Sequence, residues 1–284
     1  MRVKVGQEMR AKEVFTIWNR SRSLFLRIVW AVRYHGLDLT LLGGIIKGLS
    51  QMGISFGLNE WYKRTTSRRF DKRFGINTAG CIMPEKLDIT DQQKRSAVQY
   101  QPTASVTFGV VLSELSINYS GYIFIDYGSG QGRALIVAAH FPFEQIIGVE
   151  ISNSLHMIAQ NNVRHFLDRA VGCRNVVLVC EDAITFQLPP KPLVIYMFHP
   201  FNQEVLKEVL QNVFRALRES FRHIIIIYQH PLGPHPHHEL TPVLKNATFL
   251  RPAMVGVATR GWNIYETVTA NEFTLLADSL GASA

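Results

Sequence analysis

The residues of this chain best suited to chemistry are three acids and three glycines. Asp126 stands in "FIDYGSGQGR" (Phe124–Arg133), directly ahead of Gly128, Gly130 and Gly132. Glu150 closes "IIGVE", 24 positions further on, and Asp182 follows in "CEDA". A glycine-rich turn after an apolar strand lets backbone approach a ligand. An acid at the end of the next strand can accept from both ribose hydroxyls, and one after the third from an adenine amino group. His199, in "MFHPF", adds a side chain that titrates near neutral pH and can act as a general base.

Such residues need strands to bring them together. "YIFIDYG", "QIIGVE", "NVVLVCEDA", "PLVIYMFHPF" and "HIIIIYQH" read as buried strands. Helices are expected between them: from Gln131 to His140, from a Ser152 cap to about Asp168, and from Gln203 to Ser220. This alternation indicates an α/β, Rossmann-like, mostly parallel sheet. The tail, "ATFLRPAMVGVATRGWNIYETVTA", predicts an antiparallel C-terminal hairpin turning at Arg260–Gly261 and completing seven strands. Ahead of the first strand, "YQPTASVTFGVVLSEL" opens a helix that Thr103 or Ser105 can cap, with Leu112 and Leu115 on its buried face.

In such a sheet, ligands sit at the carboxyl ends of the strands. A P-loop needs Gly-Lys-Ser/Thr, whereas Arg133-Ala134 follows the last glycine. A dinucleotide turn needs a third glycine where Arg133 stands, and its pyrophosphate would meet the charge of Asp126. S-adenosylmethionine (SAM) fits better, because its ammonium and sulfonium groups welcome acids.

At this point the sequence resembles the class I SAM-dependent methyltransferases, over about Tyr100 to Tyr228, and most closely uncharacterised bacterial methyltransferase-domain proteins. "DYGSGQG" is similar to their first motif, "GVE" to the ribose motif and "EDA" to the adenine motif. A short likeness of "FIDYGSGQG" to the seven-strand histone lysine methyltransferase carries no substrate information. The resemblance implies cofactor contacts from Asp126, Gly128, Ser129, Gly130, Gly132, Glu150, Ile151, Asp182 and Ala183. It implies that the segment at Tyr100 covers the cofactor, and Tyr100 joins His199 as a catalytic candidate. "MFHPF" sits where amine methyltransferases carry Asn/Asp-Pro-Pro-aromatic, so Pro200 and Phe201 are expected to shape the acceptor pocket. Histidine in the Asn/Asp slot puts nitrogen specificity in doubt. A SAM-binding protein without turnover is the alternative function, and a nicotinamide-dependent reductase is a third. The acceptor and the oligomeric state are not named by the sequence.

The chain has 284 residues and 47% hydrophobic content, as globular proteins do. Its three cysteines, Cys81, Cys173 and Cys180, form no CxxC pair, so neither a zinc ribbon nor a disulfide framework is indicated. No signal peptide is evident, and a cytoplasmic setting is expected. His235, His237, His238 and Glu239 lie in a biased loop, and no metal is assigned to them.

Three regions are expected: a basic, mostly helical 1–75, a connecting segment with the lead-in helix at 76–120, and a SAM-binding catalytic domain at 121–284. Residues 1–75 hold 15 Lys+Arg against 5 Asp+Glu, while the remainder holds 15 against 17. This concentration of charge suggests an anionic partner. Leu41–Leu58 is apolar, but Lys47 would cost about 2.5–3.5 kcal/mol inside a bilayer, so a buried or interfacial helix pair is expected. Three roles suit the region: a lid on the catalytic domain, contact with lipid head groups on the inner face of a membrane, or contact with RNA. The apolar run favours lipid over RNA.

Overall fold

A computed structural model describes residues 21–52, 57–168, 172–230, 240–253 and 261–281. Helices α1 (21–35), α2 (Leu37–Gln51), α3 (Leu58–Phe74), α4 (Asp91–Ser96) and α5 (Ser105–Ser113) precede the first strand. There follow β1 (Ile123–Tyr127), α6 (Arg133–Ala138), β2 (Gln145–Glu150), α7 (Asn153–Leu167), β3 (Val176–Cys180), β4 (Leu193–Phe198) and α8 (Gln203–Glu219). β5 (Ile224–Gln229), α9 (Leu240–Lys245), β6 (Leu250–Pro252), β7 (Trp262–Thr267) and α10 (Ala270–Gly281) complete the order. Among the described residues, the chain divides into two compact units. One holds 21–52, 57–73 and 104–116, and the other holds 74–103 and most of the chain from 117 onward.

The first unit is helical. Gly36, at φ 90°, breaks the chain between α1 and α2. α2 packs on α3 at Leu39 and Gly43, and Ile46 on the same face is buried. The Tyr62 hydroxyl donates to the Leu39 carbonyl at 3.0 Å, and a Cβ on Gly43 would lie 2.3 Å from that hydroxyl. On α1, Trp30 and Tyr34, one turn apart, continue an aromatic cluster to Phe70 of α3. Trp30 also donates to Ser113 of α5 at 2.9 Å. The expected caps of α5 are corrected: its N-cap is Ala104, with no side-chain bond, and Thr103 instead shares a 3.2 Å hydrogen bond with the Tyr196 hydroxyl. No helix among the described residues is long and apolar enough to cross a membrane.

The second unit is built on a seven-stranded sheet ordered β3-β2-β1-β4-β5-β7-β6. Its first five strands are mutually parallel, and β7 runs antiparallel between β5 and β6. β1, β4 and β5 are apolar runs because both of their faces are covered. Over one face lies α8, whose Leu206, Val209, Leu210, Val213 and Leu217 recur at helical spacing and are buried with Ile195, Met197, Ile226 and Tyr228. Capping follows the side chains: Ser152 accepts from Leu155 N at the start of α7, and Asn202 accepts from Val205 N at the start of α8. The expected turn at Arg260–Gly261 falls partly outside the described residues, as do His235, His237, His238 and Glu239.

Candidate functional site

The order reverses between β1 and β4, and the parallel strands there end on one side of the sheet. Asp126, the fourth residue of β1, lies opposite Gly148 of β2 and Tyr196 of β4. The chain then turns back on β2, with Gly128 N and Ser129 N both donating to the Val149 carbonyl at 2.9 and 3.0 Å. Gly128, Gly130 and Gly132 have φ of 74°, 53° and 86°, values that side chains rarely adopt. Space is as restrictive as conformation at two of them. A Cβ on Gly128 would stand 2.4 Å from Pro200, and one on Gly130 would stand 2.4 Å from the Tyr100 ring.

Glu150 holds this turn from below. One carboxylate oxygen accepts from Gly130 N at 2.7 Å and the other from Ser152 N at 2.9 Å. The Ile151 backbone adds a further bond, and part of the carboxylate's acceptor capacity is left over. Burial pushes the Glu150 carboxyl above its ordinary range, and these backbone bonds pull it partly back. Asp126 is only 3% exposed. Burial, reinforced by the neighbouring Glu150 charge, raises its carboxyl well above the usual range. Asp182 accepts from Ile184 N at 3.0 Å in the turn after β3.

A cavity of ≈ 380 Å³ opens here, within the roughly 300–1,000 Å³ of small-molecule sites. Asp126, Gly128, Ser129, Gly130, Glu150, Ile151, Asp182 and Ala183 all line it. Tyr100, His199, Pro200 and Phe201 line it too. Gly132 does not; it is the N-cap of α6, where a Cβ would meet Ala159 at 3.3 Å. Among the described residues, the charged lining is four acids, Asp126, Glu150, Glu181 and Asp182, and one cation, Arg133.

Sequence reasoning passed over Arg133, using it only to exclude other nucleotide turns. It is the first residue of α6, is 4% exposed, and its Nε donates to Thr78 Oγ1 at 2.6 Å. A cation directly after the glycines was the available signal.

Residues 87–103 form a strap that makes up much of the remaining wall. Ile82 and Tyr100 exchange both backbone hydrogen bonds, at 3.1 and 2.8 Å. Val98 N donates to the Pro200 carbonyl at 3.3 Å, and Asn202 N to the Ser96 carbonyl at 2.9 Å. At the far end, the Asp88 carboxylate accepts from Ser152 Oγ, Ser154 N and Ser154 Oγ, at 2.6, 2.8 and 2.8 Å. Tyr100 is anchored by its hydroxyl, which donates to the Thr78 carbonyl at 2.8 Å.

His199 follows β4 with φ 41°, the one positive φ among described non-glycine residues. Such a conformation costs on the order of 1–3 kcal/mol and is held by surrounding structure. Its Nδ1 lies 2.8 Å from the Tyr228 hydroxyl of β5, and the two rings meet edge to face. Burial drives the Tyr228 phenol far up, so this partner stays neutral. The imidazole is thereby fixed in orientation at the cavity wall.

The fold is Rossmann-like, a mostly parallel seven-stranded sheet closed by an antiparallel hairpin. Among solved structures, similarity extends to the precorrin-6y C5,15-methyltransferase of Geobacter metallireducens, at 17% identity and TM-score 0.42, over 69% of this chain and 100% of that one. It extends to the ribosomal protein L11 methylase of Lactobacillus delbrueckii subsp. bulgaricus, at 12% identity and TM-score 0.41, covering 60% and 80%. Magnesium protoporphyrin IX methyltransferase of Synechocystis PCC 6803, crystallised with bound SAM, matches at 17% and TM-score 0.38, covering 60% and 86%. No protein-family model matches the chain, and no curated protein matches it. At these identities and TM-scores the likenesses carry no inference about activity, which rests on the site itself.

Proposed function

We propose that the chain is a SAM-dependent methyltransferase acting on an acceptor bound beside His199. The observation that carries this reading is the set of acids Asp126, Glu150 and Asp182 at the ends of three neighbouring strands, lining one cavity with the glycine turn. Among the described lining residues a phosphate-bearing nucleotide would face four acids against one arginine, whereas a cofactor bearing two positive groups is matched by them. Bound SAM supplies a methyl group already activated on a sulfonium.

The chain's own residues then divide the remaining tasks. Asp126 holds the cationic end of the cofactor. Glu150 accepts from the ribose hydroxyls through its remaining lone pairs, and Asp182 from the adenine amino group. Arg133 faces the cofactor's carboxylate, a pairing that suits its fixed fork of donors. The strap, with Tyr100 over Gly130, excludes water from the reacting pair. His199 orients the acceptor and takes its proton, with Tyr228 accepting from Nδ1–H so that Nε2 is the basic atom. Pro200 and Phe201 shape the acceptor's side of the cavity. The same reading places the reaction in a cytoplasmic, reducing compartment, where SAM is made.

The test is transfer of labelled methyl from SAM to components of a cell extract depleted of the protein. Label incorporation with release of S-adenosylhomocysteine is expected from the added full chain. Tight SAM binding with no release under any extract condition would leave a binding protein without turnover.

A further inference from the structure

The first unit presents the wrong surface to water. Among the described residues, nine of the fourteen exposed large apolar side chains fall within 24–61. On α2, the packed face carries Leu39, Gly43 and Ile46. Leu37, Leu41, Ile45 and Met52 recur on the opposite face at exposures of 60, 63, 62 and 69%, with no charged residue between them on that stripe. α1 repeats the arrangement: Trp30 and Tyr34 point inward, while Leu24, Phe25, Ile28 and Val29 are exposed.

The unit that carries these stripes is also basic. Residues 21–73 expose nine lysines and arginines but only two acids. Both exposed acids, Asp38 and Glu60, are already paired with Arg69 and Lys63. The remaining cations include Arg33 on α1, Lys47 on α2, and Arg64, Arg68 and Lys72 on α3.

We propose that this unit docks on an anionic lipid surface, with the outward stripes of α1 and α2 entering the head-group boundary and the cations meeting lipid phosphates. No helix among the described residues is long and apolar enough to span a bilayer, but exposed apolar helix faces on a basic unit are what interfacial binding uses. A second copy of the chain would cover the apolar stripes but would place the cationic excess against itself. An RNA backbone would satisfy the cations and leave the leucines in water.

The experiment is flotation of the full chain with vesicles of phosphatidylcholine alone, or phosphatidylcholine mixed with phosphatidylglycerol. It uses no SAM and so is independent of the proposed catalytic activity. Binding to the anionic vesicles is expected, weakening as salt rises. Leu41→Gln with Ile45→Gln should lower it about tenfold or more, with an unchanged melting curve because these side chains point outward. Leu275→Gln, equally exposed on α10, should leave it unchanged. The proposal is overturned if anionic vesicles bind nothing at low salt, or if the double variant floats like the parent. A dimer in light scattering that the double substitution dissolves, without vesicle binding, would give the face to a second copy. Retention on an RNA oligonucleotide without vesicle binding would give the cations to nucleic acid.

Discussion

His199 joins a strained backbone, a fixed imidazole and a place in the cavity wall. Asparagine tolerates positive φ, so His199→Asn keeps the turn while removing the base. Turnover should fall about 10²–10⁴-fold with SAM affinity nearly unchanged, and the rate inflection near neutral pH should vanish; an unchanged pH–rate profile would leave His199 a structural role only. Asp126 supports a second expectation. Its carboxyl, like that of Glu150, titrates above the ordinary range in the free fold. Both acids therefore favour the native state at low pH, and that contribution is lost as pH rises through their raised values. A bound cation favours the carboxylate and removes the cost. Proton release should therefore accompany SAM binding, and the rise in Tm on adding SAM should grow as pH rises through the range in which these acids ionise. A rise in Tm that does not change with pH, with no proton release, would show that Asp126 does not meet the cofactor's charge. At this scale the acids were legible in the sequence because each closes an apolar run. The positive φ of His199 was not, since it depends on Tyr228 of another strand, and neither was Glu150's hold on Gly130, a contact across 20 positions of chain.

At the scale of elements, the strap supplies one wall of the cavity. Its short α4, held by a Thr90–Gln93 capping box, and its isolated bridges bury little and are tied mainly by hydrogen bonds. Asp88 is the outermost tie, and its bonds to Ser152 and Ser154 hold its carboxyl below the ordinary range. Asp88→Ala should speed SAM dissociation several-fold and raise amide exchange across 87–103, while leaving the sheet's protection intact. Exchange identical to the parent would mean that the strap does not depend on this tie. The parallel strands and their helices could be read from the sequence because burial on both faces writes continuous apolar runs such as "IIIIY". The strap could be read only as part of a connecting segment, because its order comes from partners at Ser152, Pro200 and Asn202 rather than from any period of its own. The capping of α5 was misread for a related reason: Thr103 is drawn to Tyr196, a partner no local pattern reveals.

At the scale of the molecule, the basic N-terminal quarter and the acid-lined sheet were visible as a change in charge balance along the chain. What the composition could not show was that the apolar residues of α1 and α2 divide between an inward and an outward face, because both faces are apolar and the helical period is blurred. The central claim concerns the cavity at the ends of β1, β2 and β3, and calorimetric titration of the full chain with SAM and with NADH tests it most directly. One site is expected for SAM and for S-adenosylhomocysteine, with little or no heat from NADH and SAM affinity weakened about tenfold or more in a folded Glu150→Ala variant, each charged hydrogen bond being worth about 1.5–3 kcal/mol. Tighter binding of NADH than of SAM, or parental SAM affinity in Glu150→Ala, would contradict it.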